Sequence, residues 1–392
     1  MKVLSFGHIP TWAGGRQESG LANVIYQLAK NMADCDGVEM SMAATDVFIP
    51  LKQDGKLAIY GWTKYMLIKY GLKHPFVSFK WFLSVLNAKL KFGAVISIPG
   101  FFFKGLHLVR TISIVKPDAI HLHGMTACVY DKIVPTAVKI VVTMHGIIGN
   151  DRSIPNQEYL SRMERLICHS KRYSLICFIA DKLISDFKEI YGCINTSYKA
   201  ILNAYDNKAF YYTEHVKQPK LTLATIASLR ENKGQMRVLQ AIAASRFDIK
   251  YICIGAGTDK LIAQNKKFAV EHQIDYEYVG KKTPTEIREI LSKTDYMILP
   301  SSTEGFGIAY LEAIACGVPV VLPKYLPIVQ QDGIIQPTRN SILLEDCSTE
   351  AIVKALSTLL NMNFNRKLVS ESIINCSWIG IAKQYVESFK SI

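Results

Sequence analysis

Short apolar runs alternate with helical segments along nearly the whole chain. Runs such as VLSF, AIHLH, KIVVTM and LICFI each end in a polar or glycine-containing turn, and amphipathic stretches such as LANVIYQLAKNM lie between them. Repeated βα units of this kind predict parallel sheets with helices on both faces. The alternation stops in the polar stretch TEHVKQPK and restarts with LTLATIASL, which predicts two such domains joined by a linker.

Length and composition allow both domains to be large. With 392 residues, 49% of them hydrophobic, the chain can bury two cores, and disorder is disfavoured. We predict an α/β fold with doubly wound parallel-sheet domains at 1–206 and 215–375, followed by a C-terminal segment at 376–392. The N-terminal MKVLSFGHIP predicts a first strand rather than a signal peptide or membrane span. Nine cysteines without a C-x-x-C pair or zinc spacing indicate reduced core thiols in a cytosolic protein.

Most of the positive charge falls in one segment, residues 51–116. This segment holds ten lysines and one arginine against a single aspartate, in a chain whose net charge is +13. Its lysines are interleaved with aromatic and aliphatic residues, as in IYGWTKYMLIKYG, which suits a surface that enters lipid headgroups while its cations meet anionic lipid. A solvated basic face over an ordinary core is the alternative. Nucleic acid is disfavoured because no recognition motif accompanies the segment.

The loop after the first predicted strand, HIPTWAGGRQESG, is a candidate ligand site. Ligands of open α/β sheets bind at the carboxyl ends of the strands. Gly14, Gly15 and Gly20 let the backbone approach a ligand closely, and the following helix offers unpaired amides to an anion. Glycines also serve simple turns, so the loop alone does not decide the function.

Three histidines end apolar runs of the first domain. His145, in VVTMHG, follows a predicted strand and would lie at its carboxyl end. A structural histidine is the ordinary alternative. His121 and His123 lie two apart, so they share a strand face, but two histidines without a third ligand make a poor metal site.

Two glycine-containing loops of the second domain could approach a nucleotide. In SLRENKG, Arg230 and Lys233 precede a helix start, which suits a diphosphate, although a merely basic helix start is the alternative. In ICIGAG, Gly255 belongs to a fragment of a dinucleotide fingerprint. The third glycine and the later acidic residue are missing, so NAD binding is disfavoured.

The stretch STEGFGIAYLEAIACGVPVV follows the buried run YMILP. Glu304 is predicted to lie in a loop, and Glu312 in the helix that begins near Gly307. The amides of Phe306 and Gly307 would lie at the N-terminus of that helix, where they can meet phosphate oxygens. Carboxylates accept hydrogen bonds from vicinal hydroxyls such as those of a ribose or hexose. One glutamate in a first helical turn would be ordinary; two at this spacing favour a sugar-nucleotide site.

In this order, the stretches resemble the family 4 glycosyltransferases, which have the GT-B fold of two Rossmann-like domains facing across a cleft. The strongest match is EGFGIAYLEAIACGVPVV, which resembles the E-x7-E signature of that family. The closing SWIGIAKQYVESF resembles its C-terminal helix, which returns to pack on the first domain. The resemblance implies transfer of a hexose-type sugar with retained configuration from a nucleotide diphosphate, UDP or GDP, without a metal or other cofactor. The acceptor would be a glycan or a lipid-linked sugar bound by the first domain.

The resemblance also implies roles for individual residues. Glu304 would contact the donor hexose and Glu312 the ribose, while Arg230 and Lys233 would neutralise the charge that develops on the diphosphate. His145 would lie near the transferred sugar. The catalytic set is therefore His145, Glu304, Arg230 and Lys233, and the donor-binding set is Gly14, Gly15, Gly20, Gly255, Val279, Gly280, Phe306, Gly307, Ile308 and Glu312.

Three positions depart from the family pattern. Ser228 stands where the family often has an arginine, residues 203–206 read NAYD rather than NGVD, and Ile328 stands where a glutamate is common. A nucleotide-sugar epimerase and a catalytically idle nucleotide-binding module remain alternatives. With the basic segment, the resemblance favours an enzyme of surface polysaccharide, lipopolysaccharide, capsule or glycolipid synthesis, peripheral at the cytoplasmic face of the cell membrane.

Overall fold

The computed structural model describes residues 1–16, 19–148, 155–331 and 333–392. Its contacts divide the chain into two compact units, one formed by Met1–Asn203 with Trp378–Ile392 and the other by Ala204–Ser377. Tyr205 and Ser377 pair in an isolated parallel bridge, so the chain enters and leaves the second unit at adjacent points.

The strands and helices alternate through both units. The strands are β1 Lys2–Gly7, β2 Glu39–Ala44, β3 Leu51–Asp54, β4 Leu57–Tyr60, β5 Ala119–His123, β6 Lys139–Met144, β7 Leu175–Phe178, β8 Tyr198–Ala200, β9 Leu221–Ile226, β10 Ile249–Ile254, β11 Asp275–Gly280, β12 Tyr296–Ile298, β13 Val320–Pro323 and β14 Ser341–Leu344. The α-helices are α1 Gly20–Ala33, α2 Lys64–Lys73, α3 Pro75–Phe92, α4 Ile98–Val115, α5 Ala127–Tyr130, α6 Gln157–His169, α7 Asp181–Tyr191, α8 Gln235–Ser245, α9 Asp259–Glu271, α10 Pro284–Leu291, α11 Ile308–Ala315, α12 Thr349–Leu359, α13 Arg366–Glu371 and α14 Trp378–Lys390.

The first unit contains a sheet in the order β3-β4-β2-β1-β5-β6-β7-β8. Every pair is parallel except β3 with β4. The prediction of a parallel sheet is therefore wrong for β3, because the short turn through Gly55 can join only antiparallel strands. The order reverses between β1 and β5, so the loops after these two strands flank the switch point, where α/β sheets bind ligands.

The C-terminal helix α14 belongs to the first unit, as the resemblance implied. It packs beside α1. The Tyr385 hydroxyl lies 3.0 Å from Thr143 Oγ1, and the Phe389 ring meets His121 edge to face with centroids 5.5 Å apart. The last residues of the chain thus complete the core around strands β5 and β6.

The second unit contains a parallel sheet in the order β11-β10-β9-β12-β13-β14. This is the strand order of a doubly wound nucleotide-binding sheet, with β9 as its first strand. The order reverses between β9 and β12. The switch point therefore lies between the loops that carry Lys233 and Glu304, although these residues are far apart in sequence.

The cysteines are only partly core residues. Five thiols are buried, at Cys128, Cys168, Cys177, Cys253 and Cys316. The prediction of core thiols is wrong for the others, since Cys193 is exposed and the remaining three are half-buried.

Candidate functional site

Two hydrogen bonds to backbone carbonyls join the segments that follow β9 and β12. Ser302 N donates to Asn232 O at 2.8 Å, and Arg237 Nη2 donates to Pro300 O at 2.9 Å. Gly234 has a φ of 78°, and a Cβ there would lie 2.6 Å from Pro300 O. Only glycine permits this approach, so the turn before α8 rests directly on the end of β12.

Lys233 and Glu304 meet at this junction. The lysine Nζ lies 2.7 Å from the Glu304 Oε1 atom, and the two side chains are 17% and 13% exposed. The sequence predicted both as site residues but not their contact. The structure thus places a cation and a carboxylate, both open to solvent on one side, at the switch point of the sheet.

Helix α11 starts four residues after Glu304, and its N-terminus has no side-chain cap among the described residues. It begins at Ile308 after Gly307, whose φ is 97°. A Cβ on Gly307 would lie 2.6 Å from the Tyr310 ring, and the Tyr310 hydroxyl donates to Leu299 O at 2.7 Å. The helix is therefore tied to the end of β12, and its N-terminus can bind an anion. The Phe306 side chain is buried, so only its backbone can serve a ligand.

Glu312 lies in the second turn of α11 and is half-buried. Burial raises the pKa of its carboxyl to about 7, and the nearby Asp206 carboxylate adds to the shift. Near neutral pH this group is therefore divided between a form that only accepts hydrogen bonds and a form that also donates one.

Arg230 points to a different place. Its side chain is exposed and lines a cavity of about 520 Å³ between α8 and α9, together with Met236 and Phe268. The structure therefore brings Lys233 to Glu304 but groups Arg230 with this neighbouring cavity. The direction of a side chain in a short loop leaves no periodic signal in the sequence.

The ends of β9, β10 and β11 are joined through glycine backbone. Gly255 has a φ of 139°, and a Cβ there would lie 2.1 Å from Ala227 O. Gly255 N donates to Gly280 O at 2.8 Å, and the Tyr278 hydroxyl donates to Gly255 O at 2.8 Å. Val279 packs against the apolar cluster beneath β10. The positive φ and the close approach to Ala227 O each favour glycine at position 255, while Val279 and Gly280 end the edge strand β11.

Ile328 occupies the position where the family often has a glutamate. Its side chain is fully buried within the second unit. In this protein the side chain at that position therefore packs in the core and is not available to a ligand.

In the first unit, the loop after β1 depends on two of its three predicted glycines. Gly14 has a φ of 95°, and a Cβ on Gly15 would lie 1.9 Å from Ile9 O. Gly20 is the first residue of α1 and would meet nothing within 4 Å. The tight turn therefore explains Gly14 and Gly15 but not Gly20.

Sequence reasoning missed the residue that holds this loop. The buried Asp46 carboxylate accepts hydrogen bonds from Ile9 N at 3.0 Å and from Arg16 N at 2.9 Å. An aspartate directly after the apolar strand β2 was the available signal, because such positions also lie at the carboxyl edge of the sheet.

His145 follows β6 and forms part of a chain of neutral rings. Its Nε2 lies 3.1 Å from His123 Nδ1, and His123 Nε2 lies 3.2 Å from Ser5 Oγ. Burial lowers the pKa of His145 to about 4 and that of His123 well below its ordinary value. Each neutral ring carries one N–H. When His123 donates to His145, the Nδ1 of His145 becomes a donor; in the reverse case it is an acceptor.

The Nδ1 of His145 has no hydrogen-bond partner among the described residues. In this pair of histidine rings, His145 Nδ1 is therefore a buried nitrogen that can still form a hydrogen bond. His121 differs, since its Nε2 lies 2.7 Å from Thr143 Oγ1 and burial lowers its pKa to about 3. We interpret His121 as a structural histidine. Within ranges 1–16, 19–148, 155–331 and 333–392, no three His, Cys, Asp or Glu residues are grouped to hold a metal.

The site residues of the second unit fall within the region that matches a known family model. Residues 212–373 match the model of the glycosyl transferases group 1. The matched region, which makes up most of the second unit, is therefore similar to a group 1 glycosyltransferase domain. This region includes the Lys233–Glu304 pair, helix α11 and Glu312.

A curated relative extends the match beyond this domain. N-acetyl-alpha-D-glucosaminyl L-malate synthase of Bacillus anthracis is 25% identical over 239 residues, which cover 55% of this chain and 59% of that protein. The chain thus spans less than two thirds of the length of this relative.

Solved structures match the whole chain at low identity. HepE of Anabaena, in complex with UDP, is 15% identical with a TM-score of 0.70 and full coverage of both chains. The apo lipopolysaccharide outer core galactosyltransferase WaaB is 12% identical with a TM-score of 0.65, covering 100% of this chain and 99% of that chain. These likenesses show the fold: it is the GT-B fold of glycosyltransferases, as the sequence predicted.

Proposed function

We propose that the chain is a retaining glycosyltransferase that moves a hexose-type sugar from a nucleotide diphosphate to a glycan or lipid-linked acceptor. The observation that carries this proposal is the Lys233–Glu304 contact beside the uncapped N-terminus of α11. The group 1 family match of the same residues supports it. The UDP bound by HepE and the description of WaaB as a lipopolysaccharide outer core galactosyltransferase support a nucleotide donor and a role in surface polysaccharide or glycolipid synthesis.

The charges at this junction suit a departing diphosphate. The first amides of α11 bind the phosphate oxygens, and Lys233 turns from Glu304 toward them. As the C1–O bond to the diphosphate breaks, the acceptor hydroxyl forms the new C1–O bond and its proton leaves with the diphosphate. Lys233 offsets the charge that develops on the leaving group, a type of interaction that contributes about 3 kcal/mol. Because protein groups supply this charge, we propose that transfer needs no metal.

The two glutamates act on hydroxyl groups in this proposal. Once Lys233 turns to the diphosphate, Glu304 accepts hydrogen bonds from the donor hexose, while Glu312 accepts them from the ribose. Both contacts use carboxylate oxygens as paired acceptors. Glu304 and Glu312 therefore hold one donor and do not form the acid and base pair of a hydrolase.

The remaining roles that the family resemblance implies belong to backbone groups of the second unit and to residues of the first unit. We propose that backbone near Val279 and Gly280 contacts the base of UDP or GDP. His145 contacts the transferred sugar through its Nδ1 atom, which no described residue engages. The loop that contains Gly14 and Gly15 contacts the phosphates.

The first test identifies the donor. A thermal-shift panel of UDP, GDP and ADP, followed by the matching sugar nucleotides, should show one base that raises the melting temperature. Transfer to a panel of glycan acceptors should then proceed in EDTA, with the anomeric configuration of the product retained in proton NMR spectra. An isomerised sugar formed without acceptor would indicate an epimerase. Binding without release of free nucleotide would indicate an idle module, and inversion at C1 would refute the retaining mechanism.

A further inference from the structure

Helices α2 and α3 expose large apolar side chains to solvent. Phe76 is 88% exposed, Leu90 is 86% exposed and Leu72 is 78% exposed. Scattered apolar residues are ordinary on a protein surface, but a continuous set on adjacent helices is not. The exposed set, which we call the outer apolar face, is Tyr65, Ile68, Leu72, Phe76, Phe79 and Leu90.

The outer apolar face follows helical spacing on both helices. On α2, Tyr65, Ile68 and Leu72 recur at intervals of three and four and form one stripe, while the buried Leu67 lies on the opposite side. Helix α3 buries a second stripe that includes Trp81 and Val85. Its exposed apolar residues lie across the helix from that buried stripe. Helix α3 is thus apolar on two sides, and only one of them packs within the unit.

The inner side of α3 is fixed firmly, which determines what its outer side presents. The fully buried Trp81 ring rests against Gly105 of α4, where an added Cβ would lie 2.1 Å from the ring. Trp81 Nε1 also donates to Phe102 O at 3.0 Å. Helix α3 cannot rotate its exposed phenylalanines inward without losing this contact.

The charged residues of helices α2 and α3 themselves are of one sign. Residues 64–92 contain lysines at 64, 69, 73, 80, 89 and 91 and no aspartate or glutamate. On α2, Lys64 and Lys69 fall on opposite flanks of the apolar stripe by helical spacing. We propose that the outer apolar face binds an anionic lipid bilayer, with its aromatic and aliphatic side chains among the headgroups and its lysines on the phosphates.

The observations favour a bilayer over the other possible occupants. A second copy of the same face would oppose lysines to lysines without a carboxylate between them. A nucleic acid would use the cations and the aromatic rings but would leave Leu72 and Leu90 exposed to water. An anionic bilayer satisfies both the apolar residues and the lysines.

The attachment is interfacial. Among the described helices, α4 alone is long and apolar enough to cross a bilayer by length and composition. It packs on β1 and β2 of the sheet and buries Leu106 and Leu108. Helix α4 thus packs inside the first unit. In this proposal, helices α2 and α3 lie on the membrane surface.

Vesicle flotation of the full chain tests the proposal. We expect binding to vesicles of equimolar phosphatidylcholine and phosphatidylglycerol, much weaker binding to pure phosphatidylcholine, and loss of binding at high salt. Phe76→Ser combined with Phe79→Ser should lower binding at least tenfold. Lys69→Gln and Lys80→Gln should each lower it about fivefold. These side chains are exposed, so thermal melting of the variants should match the wild type.

Two exposed residues of the second unit provide control variants for this experiment. Val270→Ser removes a side chain that is 78% exposed on α9, and Lys354→Gln removes an exposed cation on α12; both should bind vesicles as the wild type does.

Equal binding to neutral and anionic vesicles would overturn the proposal. So would a solution dimer that the phenylalanine substitutions dissociate, or protein that binds an oligonucleotide in preference to vesicles. Vesicle binding requires neither donor nor acceptor, so this test and the transfer assay fail separately.

Discussion

The two sheets carry polar residues at their carboxyl edges in contrasting states. In the second unit the key contact joins two charges, Lys233 and Glu304, which remain partly open to solvent. In the first unit the key contact joins two neutral rings, His123 and His145, whose pKa values are lowered by burial. The charged pair suits a ligand that brings its own charge, whereas the neutral rings suit hydroxyl groups. Two sheets of the same α/β type thus present different polar groups, one set charged and the other neutral.

The largest expected effect concerns the charged pair. Lys233→Ala should lower kcat by about 100-fold or more, because it removes about 3 kcal/mol of stabilisation from the departing diphosphate. Glu304→Ala should also abolish most donor-dependent transfer. Steady-state kinetics with saturating donor measure both.

A matched control separates this effect from general loss of charge. Lys250 Nζ pairs with Glu277 at 2.9 Å in the same unit, away from the switch point. Lys250→Ala should leave kcat unchanged. Transfer that survives in both Lys233→Ala and Glu304→Ala would refute the proposed role of the pair.

The glycine loop of the first unit gives the next largest effect. In Gly15→Ala the methyl group would lie 1.9 Å from Ile9 O, so the backbone must shift, at a cost of about 1–3 kcal/mol in the free energy of unfolding. Gly20→Ala meets nothing within 4 Å and should be neutral or slightly stabilising. Chemical denaturation of the two variants measures the difference. Equal stability of both would contradict the tight turn.

Glu312 should couple nucleotide binding to pH. Its pKa in the folded chain is about 7, against an ordinary 4.5. Nucleotide affinity should therefore rise as the pH rises through about 7, because the ionised carboxylate is the better acceptor for the ribose hydroxyls. The contribution of Glu312 to the free energy of unfolding has the opposite pH dependence. It is fully present below pH 4.5 and is lost as the pH rises through about 7.

Glu312→Gln should remove both dependences. Titration calorimetry at several pH values should show weaker, pH-independent nucleotide binding, and the melting temperature above neutral pH should be equal to or higher than that of the wild type. Glu350→Gln, on the exposed first turn of α12, is the control. A wild-type affinity that falls with rising pH would contradict the proposed acceptor role.

The smallest effect concerns the neutral rings. Because the pKa of His145 is about 4, protonation of His145 should not change the rate at neutral pH. His123→Leu removes the partner that fixes the tautomer of His145 and should lower kcat about fivefold, since one hydrogen bond contributes about 1 kcal/mol. His123→Asn, which can still donate, should recover part of the loss. Nitrogen NMR shifts of His145 report its tautomer and should change in the leucine variant only.

Much of the fold was predictable because it follows from local pattern. The apolar runs that became β5, β6, β9 and β10 are buried on both faces of a parallel sheet, so they read as continuous hydrophobic stretches. The hairpin of β3 with β4 was missed because its strands are short and partly exposed. Such strands lack the continuous apolar run that marks a buried strand.

The sequence by itself determined which loops carry polar residues at the strand ends, and it identified Lys233, Glu304 and Glu312 as candidates through their spacing. Only the tertiary structure decided which of these residues meet. Lys233 contacts Glu304 because β9 and β12 are neighbours in the sheet, whereas Arg230, three residues away along the chain, lines another cavity. Sequence spacing fixes positions along one element, but the partners of a side chain depend on the order in which distant strands assemble.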